Sequence, residues 1–226
     1  MTSRILRTLE LAIAIAAVAW LGGCSTASLF DSEAPIPTNY VLAPVPAAAT
    51  PTPSRASEVD VAIARPDVIP GLDSRRIAVL KGRLLDHYKG TEWGGSVSEV
   101  VQTLLVRSID QQQLFRSVTS EQTRVSAEYL LDVEVRDFQS EYADDGGNPQ
   151  VRVTFISRLI RIRDRELIST ITSTSLRPAA DNRMNAVAAA FESAAQQAAL
   201  DLAGKSASAI AGDVEKNPSA TERKKG

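Results

Sequence analysis

The sequence predicts a single α+β domain: a mostly antiparallel sheet with two amphipathic helices packed on one of its faces. Three observations carry that expectation. Val97, Val100, Val101, Leu104, Leu105 and Ile109 recur at helical spacing and form one apolar stripe. Val187, Phe191, Ala194, Ala198 and Leu202 share one face of a second helix, where neighbouring alanines permit close approach to a sheet. Between them, residues 129–176 hold three extended runs joined by turn signals, the pattern of an antiparallel meander. Two one-sided helices must bury their stripes, and a sheet face supplies the surface.

The N-terminus is a secretory signal by pattern. Arg4 and Arg7 precede an unbroken apolar run from Leu11 to Leu21, too short to span a bilayer comfortably as a permanent helix, and Gly22-Gly23 follow. Leu21-Gly22-Gly23-Cys24 resembles the bacterial lipobox, whose cysteine is acylated, by palmitate among other chains, and becomes the mature N-terminus. Cys24 is the only cysteine, so it has no disulfide partner within the chain. The resemblance implies a leader at 1–23 and a mature protein beginning at Cys24, held to the membrane by its acyl chains alone. An aspartate after the cysteine is the inner-membrane retention signal of that pattern. Ser25 in its place implies the periplasmic face of the outer membrane. The chain carries a net charge of −2, and losing Arg4, Arg7 and Glu10 with the leader makes it slightly more acidic. No positive excess exists to displace counterions, which argues against a nucleic-acid partner.

Residues 24–37 are polar and Pro-bearing and read as a flexible tether. Asn39–Leu42 is a short strand candidate, and 43–57 is a Pro/Ala-rich loop with Pro44, Pro46, Pro51 and Pro53. Val59, Val61 and Ile63 alternate with smaller or polar residues as in a half-buried strand, stopped by Pro66 and Pro70-Gly71. Extended runs at 76–80 and 83–88 flank Lys81-Gly82. Ser96-Val97-Ser98-Glu99 is a capping box that opens the first helix, 96–112. A strand at 114–118 follows. Tyr129, Leu131, Val133 and Val135 alternate with more polar neighbours, and Phe138 breaks that parity, which predicts a bulge near Asp137. Residues 144–149 are a loop. In the 151–162 strand the apolar parity shifts after Phe155, and Asp164-Arg165 turns into a strand at 167–176. Asp181 or Asn182 caps the second helix, 182–203, with Gly204 as its terminator. The domain is thus 38–204, and 205–226 reads as a charged, disordered tail.

Residue patterns for catalysis or metal binding are mostly missing from the sequence. His87 is the only histidine and no G-x-S-x-G elbow exists, so a serine triad has no frame. One histidine and a lipidated cysteine cannot supply a zinc site, and no cofactor is expected. Asp144, Asp145 and Asn148 do not match a calcium-loop spacing. Asp132, Glu134, Asp137 and Glu141 lie close along one strand, as paired carboxylates for sugar hydrolysis or as a solvated face. Arg158, Arg161, Arg163 and Arg165 form a basic run on the partner strand. They suit cross-strand ion pairs, and Arg158, Arg161 and Arg163 are also the candidates for contact with an anionic partner.

Several segments together resemble one family. They are Tyr40-Val41-Leu42, the run from Pro70-Gly71-Leu72-Asp73 to Arg76-Ile77-Ala78, His87-Tyr88, Glu92-Trp93, Leu114-Phe115-Arg116-Ser117-Val118, residues 129–138, and Ala190-Phe191-Glu192. The family is the auxiliary lipoprotein component of ABC-type transport systems of the MCE (mammalian cell entry) class, and the likeness spans residues 38–204 outside the Pro/Ala loop. It implies a non-enzymatic periplasmic part of a machine moving lipids between inner and outer membranes. The implied partners are an MCE-domain protein and, through it, a permease and an ATPase, with a homo-oligomer also open. The family has no catalytic motif to carry over. Two other readings stay open at this point: an outer-membrane assembly lipoprotein of another pathway, and a tethered cell-envelope hydrolase.

Overall fold

The computed structural model describes residues 36–47, 55–123, 126–143 and 146–217. The leader, Cys24, Ser25 and nearly all of the 24–37 tether lie outside the described residues, as do 48–54 of the Pro/Ala loop and the last nine residues. In chain order the elements are β1 (Thr38–Tyr40), β2 (Asp60–Ile63), β3 (Asp67–Val68), β4 (Arg76–Lys81), β5 (Leu84–Trp93), α1 (Val97–Gln111), β6 (Ser117–Ser120), β7 (Tyr129–Tyr142), β8 (Gln150–Arg161), β9 (Glu166–Pro178) and α2 (Met184–Lys216). Short 3-10 turns sit at Arg55–Glu58 and Glu121–Thr123.

β7 is the axis of the sheet. Along one edge it pairs with β8 in antiparallel fashion from Tyr129↔Arg161 to Glu141↔Gln150, and β8 pairs in the same sense with β9. Along the other edge three short strands follow one another, all parallel to β7. β2 sits opposite Tyr129–Leu131, β3 opposite Glu134–Val135, and β4 opposite Ser140–Tyr142. β6 extends the sheet beyond β2; β5, then β1, extend it beyond β4. The long ladders are antiparallel, as the meander predicts; the parallel pairings are additions between segments distant in sequence.

The predicted bulge is real: the register of β7 on β8 shifts between Val135 and Asp137. The inserted Arg136 is exposed, and the shift lets Val135 and Phe138 both turn toward the core although they are an odd number of residues apart. The inward alternation of β8 is unbroken, and the register shift between β8 and β9 at Leu159/Ile160 is taken up by Ile168 of β9. Val151, Val153, Phe155, Ser157, Leu159 and Arg161 alternate inward along the whole strand. The parity change expected after Phe155 does not occur, because the inward positions beyond it go to Ser157 and Arg161 while Ile156 and Ile160 face outward. β2 is buried rather than half-buried: it lies between β6 and β7, and Ala62 is covered as well as Val61 and Ile63.

Both helices lie against one face of the sheet and touch each other. In α1 Ser96 and Glu99 close the capping box, with Glu99 Oε2 accepting from the Ser96 N–H at 3.0 Å. Val101, Leu104, Leu105 and Ile109 are at most 2% exposed. Each contributes about 1.5–3 kcal/mol of gross burial. Trp93, Phe138 and Phe191 bring strand ends and α2 together, with ring centroids 5.1–5.6 Å apart in tilted and edge-on contacts.

The second helix corrects the sequence reading at both ends. Its N-cap is Arg183, while Asp181 instead accepts a hydrogen bond from the Arg183 N–H. It passes through Gly204 and Gly212 to Lys216, so residues 205–216 are helix and not tail. Ser206, Ala207, Ile210, Asp213 and Val214 continue the buried stripe begun by Val187 and Phe191. The 114–118 strand also moves: β6 starts at Ser117, with Phe115 buried in the approach to it.

Candidate functional site

Polar side chains gather in three places, and only one of them is buried. At the end of β8, Arg161 is 4% exposed. Its Nη1 donates to both carboxylate oxygens of Asp213 on α2, at 2.6 and 2.7 Å. Nε donates to Asp164 at 3.0 Å, and Nη2 meets Asp164 and Glu166 in the β8–β9 turn. The Tyr129 hydroxyl, from β7, donates to Asp213 at 2.8 Å. Burial pushes the Asp213 carboxyl upward, but the Arg161 and Tyr129 hydrogen bonds outweigh it and hold the group below the ordinary carboxylate value. Burial, then the bond to Asp213, pushes the Tyr129 phenol up. The cluster therefore clasps the last turns of α2 to the sheet. Arg161 is fully engaged within the chain and is not a surface for an anionic partner, unlike its sequence expectation.

Beside this clasp a cavity of ≈ 290 Å³ opens, lined in part by Val59, Arg116, Tyr129, Ile162, Arg163 and Val214. Arg116 is itself held by Asp60, by Glu128 and by the Glu58 carbonyl at 2.7 Å. Arg163 is 43% exposed, 3.5 Å from Asp164.

The sheet face away from the helices carries the second group. Arg158 pairs with Asp132 directly across the strands at 3.1 Å, Arg152 with Glu141 at 2.8 Å, and Arg136 with Glu134 at 3.0 Å. Asp137 accepts from the Gln139 amide. Of the four carboxylates considered for sugar hydrolysis, Asp132, Glu134 and Glu141 are thus matched by arginines and Asp137 by the Gln139 amide. Arg158 is half-exposed there, paired across the strands with Asp132. Such exposed pairs contribute about 0.2–1 kcal/mol each.

His87 lies on β5 opposite Ala78. Partial burial, then the nearby Arg76 charge, lowers its pKa. Its Nε2 has no hydrogen-bond partner among the described residues. Among those residues no cluster of three or more His, Cys, Asp and Glu side chains could hold a metal ion.

The third group joins the N-terminal segment to the helices. The Gly94 N–H donates to the Tyr40 carbonyl at 2.9 Å, and the Tyr40 hydroxyl donates to Asn185 at 2.8 Å. Beyond β1 the start of the Pro/Ala stretch crosses both helices as a strap. Ala43 N–H donates to Glu192 Oε2 at 2.7 Å, and Gln196 returns a bond to the Ala43 carbonyl at 2.9 Å. Val45 N–H donates to Ser108 Oγ at 3.0 Å, Gln112 reaches the Pro46 carbonyl at 3.1 Å, and the Val45 side chain is 6% exposed. Proline-rich sequence hid this attachment, since its bonds are made by backbone groups to polar residues 63–153 positions away. The Arg161–Asp213 pair had a signal: one lone charge in phase with each of two apolar stripes.

A mixed sheet with two helices on one face is also the architecture of solved proteins. A Xanthomonas campestris crystal structure superposes with a TM-score of 0.68 and 25% identity, covering 79% of this chain and 98% of that one. A second crystal structure, of an uncharacterised protein, does so with a TM-score of 0.60 and 12% identity, covering 76% and 99%. The chain belongs to the family of ABC-type transport auxiliary lipoprotein components, whose model matches residues 40–203. No curated protein matches the chain.

Proposed function

We propose that this lipoprotein is a non-enzymatic periplasmic component of an MCE-class ABC system that moves lipids between the inner and outer membranes. The observation that carries the reading is the pairing of an auxiliary-lipoprotein domain, matched over residues 40–203, with the Leu21-Gly22-Gly23-Cys24 lipobox ahead of it. Cys24 carries the acyl chains, and Ser25 directs the protein to the periplasmic face of the outer membrane. The tether and the strap then hold the domain within reach of an MCE-domain protein and, through it, the permease and ATPase rooted in the inner membrane. Several chains on one cysteine give stable anchoring, where one chain binds reversibly. The three arginine-paired carboxylates, and a histidine whose Nε2 meets no partner among the described residues, support a binding role over hydrolysis.

Two experiments test this. Purification of the full chain in mild detergent should recover the MCE-domain protein encoded with the permease and ATPase. Recovery of outer-membrane assembly proteins instead would place it in another pathway. Membrane fractionation should put the wild type in the outer membrane, move Ser25→Asp to the inner one, and leave Cys24→Ala unprocessed or mislocalised. Wild-type protein free in the periplasm would remove the anchor from the mechanism.

A further inference from the structure

Exposed apolar side chains stand at both ends of the sheet, each pair on a hairpin turn. At one end, beside the Arg161–Asp213 clasp, Ile162 and Leu167 are exposed on the β8–β9 turn. Asp164 and Glu166 lie between them, and Arg161 holds both carboxylates. At the opposite end, where Lys81 is level with Tyr142, is the β4–β5 turn at Gly82-Arg83. Leu84 and Leu85 follow it, 63% and 37% exposed. Consecutive residues of a strand face opposite ways, so burial of one face cannot account for both leucines. At Gly82 φ is +58°, and a Cβ there would meet nothing within 4 Å. Lys81 and Arg83 are exposed beside the leucines, and no acidic residue intervenes between Lys81 and Asp86.

The chain enters the domain from this second end. β1 runs parallel to β5, with Thr38 opposite Thr91 and Tyr40 opposite Trp93, so Thr38 is the end of β1 nearer the turn. From the Arg76↔Glu92 pair to the Lys81↔Leu84 pair β4 spans about 17 Å, and the turn projects past the entry point by most of that. Cys24 precedes Thr38 by fourteen residues, a reach of at most about 50 Å. A bilayer that holds Cys24 is therefore within reach of the turn. Tyr142 stands level with the turn, its ring centroid 5.7 Å from Lys81 Nζ, and Tyr88 lies beside it. Side chains with an apolar body and a polar tip suit the boundary between bilayer and water.

We infer that the β4–β5 turn is a second membrane contact, seated in the surface of the bilayer that holds Cys24. Leu84 and Leu85 enter the boundary between headgroups and acyl chains. Lys81 and Arg83 meet lipid phosphates, and their long stems keep the charges at headgroup level. The inference rests on the acyl anchor proposed above, because two leucines and two cations alone hold a membrane weakly. The anchor makes up the difference: a tethered turn meets lipid at an effective concentration set by the tether length. The result is a fixed orientation, with the Tyr142 end of β7 toward the bilayer and the Arg161 clasp away from it.

The test uses the processed, lipidated chain in vesicles of phosphatidylethanolamine and phosphatidylglycerol doped with phosphatidylcholine brominated on its acyl chains. Trp20 leaves with the leader, and the buried Trp93 is a constant background. Leu84→Trp should emit farther to the blue and be quenched several-fold more strongly than Leu167→Trp, the exposed apolar control at the far end of the sheet. Adding Arg83→Glu to Leu84→Trp should lose most of that quenching with the melting temperature unchanged, since Arg83 is exposed. Flotation of the vesicles reports the anchor separately. Protein that fails to float overturns the anchor and the docking with it. Protein that floats with Leu84→Trp unquenched, or with Leu167→Trp quenched as strongly, overturns the docking alone. Quenching that Arg83→Glu leaves unchanged overturns the phosphate contact.

Discussion

The two helices bury the same face of one sheet by opposite means. α1 is short, with Val97, Val101, Leu104, Leu105 and Ile109 filling the space beneath it. α2 is more than twice as long, and much of what it buries is small: Ala194, Ala195, Ala198, Ala199, Ala203 and Ala207. Opposite it, β8 and β9 offer Ser157, Ser173 and Ser175, all at most 5% exposed. Small residues on both sides bring backbone close to sheet, so α2 gains its contact from proximity over many turns and α1 from bulk over a few. Close packing makes each mode sensitive to a different error: lost volume or charge under α1, added volume under α2.

The largest effect is expected from Leu105→Asp. It places an unpaired charge where exposure is 0%. The cost of several kcal/mol consumes most of a stability of about 5–15 kcal/mol. Circular dichroism should show an unfolded or molten chain, and a wild-type melting curve would remove Leu105 from the core. Next comes Arg161→Ala, which strands Asp213 beneath the end of α2. Truncating one partner of a buried pair costs about 3–5 kcal/mol.

The pH dependence of that pair has a definite sign. The Asp213 pKa is depressed below 3.8 in the folded state. Its contribution is therefore fully present above that ordinary value and is lost as pH falls through the lower folded one. The stability gap between wild type and Asp213→Asn, measured by urea unfolding, should stay constant from neutrality to about pH 4 and narrow below it. A gap that narrows between pH 7 and 5 would contradict the clasp.

Ala198→Leu should cost about 1–3 kcal/mol, because it overpacks a helix pressed against the sheet. A gain in melting temperature would mean that α2 stands off farther than its burial implies. The smallest effect is Ser96→Ala, about 1 kcal/mol from the lost cap of α1. With no capping side chain of its own at Arg183, α2 should show no comparable loss on Arg183→Ala. Thermal unfolding of the two variants side by side measures the difference.

The same contrast explains what could be read from the sequence. Branched residues at helical spacing made α1 legible from cap to last turn, and strict alternation made the meander legible down to the bulge at Arg136. The second half of α2 was not: alanine, serine and glycine carry almost no periodic signal, so Gly204 read as an end although the helix continues past it. The strap at 43–47 escaped for the related reason that backbone bonds to Glu192 and Ser108 leave no residue pattern. Of the arginine run, position along β8 decided the outcome, since Arg161 falls on the inward parity and Arg158 on the outward one.

The shared edge of β7 also sets an order of assembly. β2, β3 and β4 occupy residues 60–81, yet the strand they line up on begins at Tyr129 and ends at Tyr142. A chain synthesised from its N-terminus therefore exposes three short strands before their template exists, and they can close no ladder with it until some 60 further residues arrive. The β7–β8–β9 hairpins, by contrast, join neighbours through short turns, and such local contacts form faster than distant ones. The meander should be the seed on which the first half of the domain crystallises. In pulse-labelled hydrogen exchange during refolding, amides of residues 129–161 should gain protection before those of 60–81.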